Sequence, residues 1–562
     1  MKKCLFTVVA VGVAASAAFA QGERRLTVEQ YRDKMFGGWI GQIAGVCWAA
    51  PTEFRWNDVI IPMKDMPKWK PEKINEAFGQ DDLYVEMTFL RSLEEYGLDV
   101  SIRQAGIDFA NSEYPLWCAN DAARKNLRKG IAPPDSSHPQ FNKCPNDIDY
   151  QIEADFAGLI SPGMPNSVIA LGEKFGRLMN YGDGVYGGQF VGAMLAEAFF
   201  TDDIQKIVAA GLAAIPAESQ YAEMVRDMVK WHSENPDDWQ DTWRLALKKY
   251  RQNPEYQKAS NGGIDVKING VAVMMGLLYG NGDMDQTIII STRCGWDSDC
   301  NPSSSAGVVG TMLGYSKLPE KYKEKLDLTK KFDFTAYNIP ELKAVCEKLA
   351  RQVVVQQGGR IEGDVFVIPN APVKPNTLEL SWAPGPIANS RFTDEEYAKV
   401  RFKPHPADIA DPDPTKRVQA AVDTLFKGFL GTDTWKVSPN GPDMTPGYRA
   451  EYRGRKDIVV THPLNKDTGV TLSRDLDVPN GTPKLLVTIA NHAKGDFTFI
   501  AKVDGKEVLK KKIGDEKADK VEWQTLEIDL TPYAGKRAKI ELINQPDGWA
   551  NEAAYWGGIE LK

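Results

Sequence analysis

Two acidic helix starts, Gly79-Gln80-Asp81-Asp82 and Gly295-Trp296-Asp297-Ser298-Asp299-Cys300-Asn301-Pro302, lie more than 200 residues apart and limit what this chain can fold into. Each sets carboxylates, with no Lys or Arg beside them, against a stretch that reads as a buried helix. If the fold brings the two together their charges repel, unless a hard cation with oxygen ligands holds them. If they stay apart, ordinary capping explains them: one Asp or Asn side chain accepts from the first free amides of each helix. Capping needs one acid per helix and each start carries two, so the surplus favours metal.

The rest of the composition narrows the setting. Lys2 and Lys3, an apolar run from Leu5 to Ala18 and the sequence Ala18-Phe19-Ala20 form the pattern of a secretory signal peptide cleaved after Ala20. The expectation is an exported protein, periplasmic or secreted. No later stretch reaches about 18 uninterrupted apolar residues, so no membrane span is expected. Cys4 would leave with the leader. The six others, Cys47, Cys118, Cys144, Cys294, Cys300 and Cys346, are too few for a disulfide scaffold and show no zinc-like spacing, though one or two bridges stay open. The net charge of −8 becomes −10 without Lys2 and Lys3, and the basic residues are scattered, which argues against a nucleic-acid partner. A length of 562 residues exceeds what one hydrophobic core usually organises.

Periodicity divides the chain after residue 20 into three parts. Residues 21–350 read as an all-helical domain: Leu83–Leu90 starts an amphipathic segment, Gly188–Phe200 is apolar at helical spacing, and small residues at 37, 38, 41, 45, 270, 276 and 303–310 suit closely approaching helices. Residues 351–438 read as a proline-rich connector with short strands, Val353–Val355 and Val365–Ile368 among them. Residues 439–562 read as a β-sandwich, with alternating strands at 484–489, 497–503, 523–528 and 538–542 separated by turns such as Asp504-Gly505.

Several local patterns compete with the metal reading. Asp297-x-Asp299-x-Asn301 begins like an EF-hand loop, but Pro302 stands where glycine is required and Val308 where the bidentate glutamate belongs, so that reading fails. Pro302 suits the first position of the helix that follows. The acidic stretch 147–155, which includes Asp155, and the segment 161–166 could line the same cleft; a solvated acidic helix is the plain alternative. The glycine-dense loop 181–188 lacks the ending of a phosphate loop, and its tyrosines are offered only as sugar-stacking candidates. His138 and His232 have no nucleophile partner in a recognisable motif. Glu86, one turn beyond Asp82, is a candidate supporting acid or a plain surface charge.

The stretch Gly41-Gln42-Ile43-Ala44-Gly45-Val46-Cys47-Trp48-Ala49-Ala50-Pro51-Thr52-Glu53, then Gln80-Asp81-Asp82, then Gly295-Trp296-Asp297-Ser298-Asp299-Cys300, resembles the ADP-ribosylglycohydrolase family over roughly residues 30 to 320. The resemblance implies an all-α fold holding two magnesium or manganese ions; with Cys300 at one ligand position the expectation here is one or two divalent ions, magnesium or manganese, with calcium also open. It implies Asp81, Asp82, Asp297 and Asp299 as ligands and Glu53 as a catalytic carboxylate. Gln80 and Cys300 stand where the family has threonine, Val46 where aspartate is usual and Trp296 where glycine is usual. Gln80 can still offer a carbonyl oxygen; a thiol is a poor ligand for a hard ion, so Asn301 is the candidate for that position. Glu86 and Asp155 complete the catalytic candidates. The stretch 523–535 and the closing 554–561 resemble galactose-binding-like jelly-roll domains.

The expected function is therefore metal-dependent hydrolysis of a glycosidic bond in a carbohydrate or other small glycoside, since an export signal and an appended sandwich suit a glycan. The alternatives are removal of ADP-ribose from a modified substrate, and a sugar-binding protein without catalysis.

Overall fold

The computed structural model describes residues 22–402, 411–426, 435–515, 521–548 and 551–562. The expected leader, its cleavage point and Trp549 lie outside the described residues. The chain divides into two compact units, Met1–Phe402 and Lys403–Lys562. Among the described residues no helix is long and apolar enough to cross a membrane.

The first unit is helical. Its organising helix, Val28–Ala49, begins at a capping box in which Thr27 and Gln30 satisfy each other's backbone amides. It then runs buried from Met35 to Ala49. Its small residues face the helix Cys300–Leu313 in antiparallel register: Gly37 meets Gly310, Gly41 meets Ala306 and Gly45 meets Pro302. At Gly41 and Gly45 an added Cβ would run into the backbone carbonyls of Ala306 and Pro302, so these backbones touch only because no side chain intervenes. Around the pair pack the apolar helices Val266–Gly280 and Asp183–Ala198, both buried along nearly their whole length. The helix Asp81–Tyr96 buries Leu83, Val85, Met87, Phe89 and Leu90.

Two local expectations fail here. Val353–Val355 is not a strand; it is the last full turn of the helix Ile339–Gln356, whose buried positions 342, 345, 346, 349, 350, 353 and 354 follow helical spacing. β-Branched residues lower helix propensity only slightly, and burial decides. Pro302 is not at the first helical position, because the helix begins at Cys300 with Asp299 as its N-cap.

Residues 360–402 belong to the same unit. Val365–Pro369 pairs antiparallel with both Glu23–Thr27 and Arg360–Glu362. Downstream, the Asp135 carboxylate accepts the amides of Ala388 and Ser390 at 2.8 and 2.7 Å, and Arg103 pairs with Glu396. The proline-rich stretch is thus stitched to the helices by side chains.

The second unit contains two five-stranded antiparallel sheets. One runs Lys506–Ile513, Phe497–Val503, Arg537–Gln545, Val470–Asp477, Lys436–Val437; the other Gln524–Asp529, Lys484–Asn491, Ala554–Leu561, Arg455–Thr461, Gly447–Tyr452. Phe497–Val503 buries every second residue, and residues from both sheets, Phe499, Ile540 and Leu542 with Val487, Ile489 and Trp556, share one core, as in a β-sandwich. Tyr555 and Trp556 are buried core residues rather than a stacking platform.

The helix contact gives a direct test. Gly41→Ala should lower the stability of the helical unit by about 3 kcal/mol, the upper part of the usual overpacking range, read as a loss of urea resistance in the helical circular dichroism signal.

Candidate active site

The antiparallel register places the end of the Val28–Ala49 helix beside the start of the Cys300–Leu313 helix, and that juxtaposition builds the site. Past Ala49 the chain turns through a short 3₁₀ segment to Glu53. Thr52 Oγ1 lies 2.8 Å from Ser298 Oγ, the Phe54 amide donates to the Trp296 carbonyl at 2.9 Å, and the Trp296 amide donates to the Trp56 carbonyl at 2.8 Å. The two loops are therefore one braided structure.

Trp296 adopts φ +60°, the left-handed region in which glycine is at ease, and Gly295 before it sits at φ +84°. The bulky residue is held there by complete burial, by a 2.9 Å hydrogen bond from its indole to Asp58, and by stacking on Trp243 with ring centroids 5.5 Å apart. The glycine expected from the family is replaced by a residue whose anchoring offsets the roughly 1–2 kcal/mol cost of that backbone.

The acids converge. Asp297 and Asp299 are 2% exposed and Asp82 is fully buried. Ligand atoms of Asp297, Asp299 and Cys300 all lie within 4.8 Å of one another, and the Cys300 thiol donates to Asp82 Oδ2 at 3.2 Å. The helix Asp81–Tyr96 has Gln80 as its N-cap and the Cys300–Leu313 helix has Asp299, and neither side chain makes a capping hydrogen bond. Asp82 Oδ1 and Asp297 Oδ1 are buried with no hydrogen-bond partner. The Asn301 amide donates to Asn269 Oδ1 at 2.8 Å, leaving its own Oδ1 buried and without a donor. The Gln80 carbonyl is engaged by the amides of Leu83 and Tyr84, both at 3.2 Å.

Burial, followed by the charges of Asp81 and Asp299, pushes the Asp82 carboxyl well up. Burial and then Asp299 do the same to Asp297. Asp299 rises to about 7 through burial and then Glu53. Asp81 is also raised by burial, pulled partly back by the amides of residues 81 and 82. Orphaned, desolvated oxygens converging from two distant segments fit a divalent cation with oxygen ligands.

A cavity of about 430 Å³ opens over the acids. Glu53, Gln80, Asp81, Asp149 and Asp297 line it together with Phe54, Tyr84 and Trp117. Glu53 stands at its mouth, its carboxyl raised by burial and then by Asp81. Glu86 and Asp155 are not among the lining residues. Glu86 is buried, with Oε1 accepting from the Gln42 amide at 2.7 Å and Oε2 from the Phe156 amide at 2.8 Å. Asp155 is buried with both oxygens unpartnered, and its charge raises Glu86 and, more weakly, Asp82.

The stretch 147–155 is not a solvated helix: Asp147, Gln151, Glu153 and Asp155 are buried, and Asp149 reaches the cavity. Tyr186 is fully buried and Tyr181 nearly so, which removes them as stacking residues. Sequence reasoning did not single out Phe54, Trp117 or Asn269. The first two are exposed by 40% and 59%, and no periodicity marks an aromatic on a loop as a cavity wall. A larger cleft of about 710 Å³, which includes Arg91, Tyr114 and Phe334, contains none of the candidate acids.

The ADP-ribosylglycohydrolase family model matches residues 27–359, which span all of these elements. The chain belongs to the ADP-ribosylglycohydrolase family. Membership supports a hydrolase, and the acidic groups of this family member could hold a metal. Solved structures similar to it include one described as an ADP-ribosylglycohydrolase-related protein complex, 12% identical, covering 58% of this chain and 98% of that one with a TM-score of 0.37. Two cyclases from Fischerella sp. TAU are each 14% identical with a TM-score of 0.17; they cover 24% and 28% of this chain and 77% and 81% of their own. No curated protein matches the chain.

The raised carboxyls set a pH dependence. A carboxyl raised in the folded state favours folding while protonated, so its contribution is full below the unfolded value, about 4, and is lost as pH rises through the folded value, about 7 for Asp299. With chelator present the melting temperature of the helical unit should fall as pH rises across that window. Added magnesium or manganese should flatten the dependence. A chelated protein whose stability is level or rises between pH 4 and 7 contradicts the assignment.

Proposed function

We propose that this family member hydrolyses the glycosidic bond of a small glycoside without phosphate groups, using a divalent cation held by Asp81, Asp82, Asp297 and Asp299 with Asn301 Oδ1 in reach. The observation that carries the reading is the cavity wall. It presents four acids, Glu53, Asp81, Asp149 and Asp297, beside the rings of Phe54, Tyr84 and Trp117, and no Lys, Arg or His stands among its lining residues. Phosphate sites draw on cationic side chains or on the free amides of helix N-termini. The helices that start at this cavity from Asp81 and Cys300 carry the acids Asp81, Asp82 and Asp299 at their starts, which repel a phosphate. The helix Cys118–Arg128 also starts here, but its first amides are taken: Ala119 donates to Asp147 at 2.7 Å and Asn120 to Asp149 at 2.6 Å. Exposed aromatic faces next to acids suit a sugar ring, which offers apolar C–H faces and hydroxyl donors.

A bound cation would supply Lewis-acid polarisation of a substrate oxygen. Glu53 is the acid most open to solvent, and its raised carboxyl suits it to hold or pass a proton at the scissile bond. Asp155 and Glu86 are buried outside the cavity lining and act through charge, since each interacts electrostatically with Asp82.

The test is a comparison of aryl glycosides with ADP-ribosyl-arginine, each with magnesium or manganese. Turnover of a glycoside and none of the ADP-ribosyl substrate supports the reading; the reverse overturns it in favour of ADP-ribosyl hydrolysis. Glu53→Gln should lower kcat by about 10²–10⁴-fold, the usual worth of a positioned proton-transfer group, with metal affinity retained. Asp297→Asn should remove both activity and the metal-dependent rise in melting temperature.

A further inference from the structure

Cys118, in the wall of the cavity, and Cys144 come together. Their sulfur atoms lie within 4.8 Å of each other and both residues are partly exposed thiols, while Cys47, Cys294, Cys300 and Cys346 are buried. Three of those four thiols are engaged elsewhere: Cys47 faces the Ile74 carbonyl, Cys294 the Ile290 carbonyl and Cys300 the Asp82 carboxylate. Cys118 also lines the cavity, next to Trp117, so a soluble reagent can reach it.

The backbone on either side of the pair is already in register. The Asn142 side-chain amide donates to the Ala119 carbonyl at 3.0 Å, the Ala119 backbone amide donates to Asp147 at 2.7 Å, and the Asn120 backbone amide donates to Asp149 at 2.6 Å. Cys118 itself is held at φ +36°, a conformation that a side chain other than glycine adopts only under external restraint. Segments 118–120 and 142–149 are thus fixed against each other before any covalent link forms.

A soft metal is the competing use of two thiols beside Asp147. The carboxylate is not free for it: Oδ2 accepts from Ala119, and Oδ1 from Asn180 Nδ2 at 2.8 Å and from the Asp149 amide at 3.2 Å. Two sulfurs with no third free ligand suit a covalent bond better than a tetrahedral site.

We propose that Cys118 and Cys144 form a structural disulfide that ties the start of the Cys118–Arg128 helix, and with it the Trp117 side of the cavity, to the segment ahead of Asp147. The oxidant is a small or protein disulfide. One cysteine thiolate attacks it and expels a thiolate, and the second cysteine then attacks the mixed disulfide at the first cysteine's sulfur and expels the other. Two protons leave the cysteines and two electrons pass to the oxidant, which departs as two thiols. Hydrogen bonding to Cys144, then burial, raises the Cys118 thiol, unlike the low-lying thiols of redox catalysts.

The full chain, purified without reductant and incubated with glutathione disulfide, is unfolded, alkylated and digested for mass spectrometry. Of the six cysteines from Cys47 to Cys346, the four buried ones should be alkylated, and the peptides containing Cys118 and Cys144 should be recovered joined. Reductant should free both and lower the melting temperature by about 5 °C, as expected for removing a link across a loop of this size. Cys118→Ser and Cys144→Ser should show no reductant-dependent shift. Six alkylated cysteines, a joined pair of other composition, or one zinc per chain lost in both variants would each overturn the proposal. None of these readouts depends on the substrate or on the divalent cation.

Discussion

Desolvated carboxylates repelling one another in one interior region are the constraint on which the rest of the helical unit depends. Two ionised groups 4 Å apart repel by about 4 kcal/mol at the effective dielectric of a protein. Asp82 alone feels Asp81, Asp299 and Asp155. Such a cluster is tenable only if it holds protons or a cation, and its acidic groups could hold a metal. Asp82 Oδ1, Asp297 Oδ1 and Asn301 Oδ1 are buried without donors, while Asp297 and Asp299 share a carboxyl–carboxylate hydrogen bond that holds a proton when no cation is bound. The Cys300 thiol is the exception, since it gives its hydrogen to Asp82 and so holds a would-be ligand in place.

The helical packing serves that cluster. Bringing Glu53 and the 297–301 loop together requires the Val28–Ala49 and Cys300–Leu313 helices to approach until backbone meets backbone, which only Gly41, Gly45 and their neighbours permit. The reversal that follows needs the left-handed pair Gly295 and Trp296, and the indole of Trp296 becomes an anchor through Asp58 and Trp243. Here packing has taken over the work of a flexible glycine, with more rigidity as the result.

The acids were legible in the sequence because carboxylates without counter-charges beside an apolar helix are improbable unless something else neutralises them. The glycine stripe was legible because its fourfold spacing marks one helix face. The limits of Val353–Val355 and of the helix at Cys300 were not legible, since both depend on tertiary contacts that override local preference. Phe54, Trp117 and Asn269 were missed for a different reason. Each works through position in space, on a loop or opposite Asn301, and carries no pattern that sequence spacing records.

The acids fall into three tiers, and the tiers fit the roles proposed for them. Glu86 and Asp155 are sealed in the interior, Glu86 with both oxygens satisfied by Gln42 and Phe156, so neither can exchange a proton with solvent or reach a substrate without unfolding its surroundings. Asp81 and Asp297 face the cavity from the floor, tied by repulsion to the acids beneath them. Glu53 stands at the mouth on a loop braided to the 295–301 loop, close enough for its charge to raise Asp299 and exposed enough to trade protons with water. A group that must change protonation in every turnover belongs at that boundary, and one that must hold an ion belongs below it.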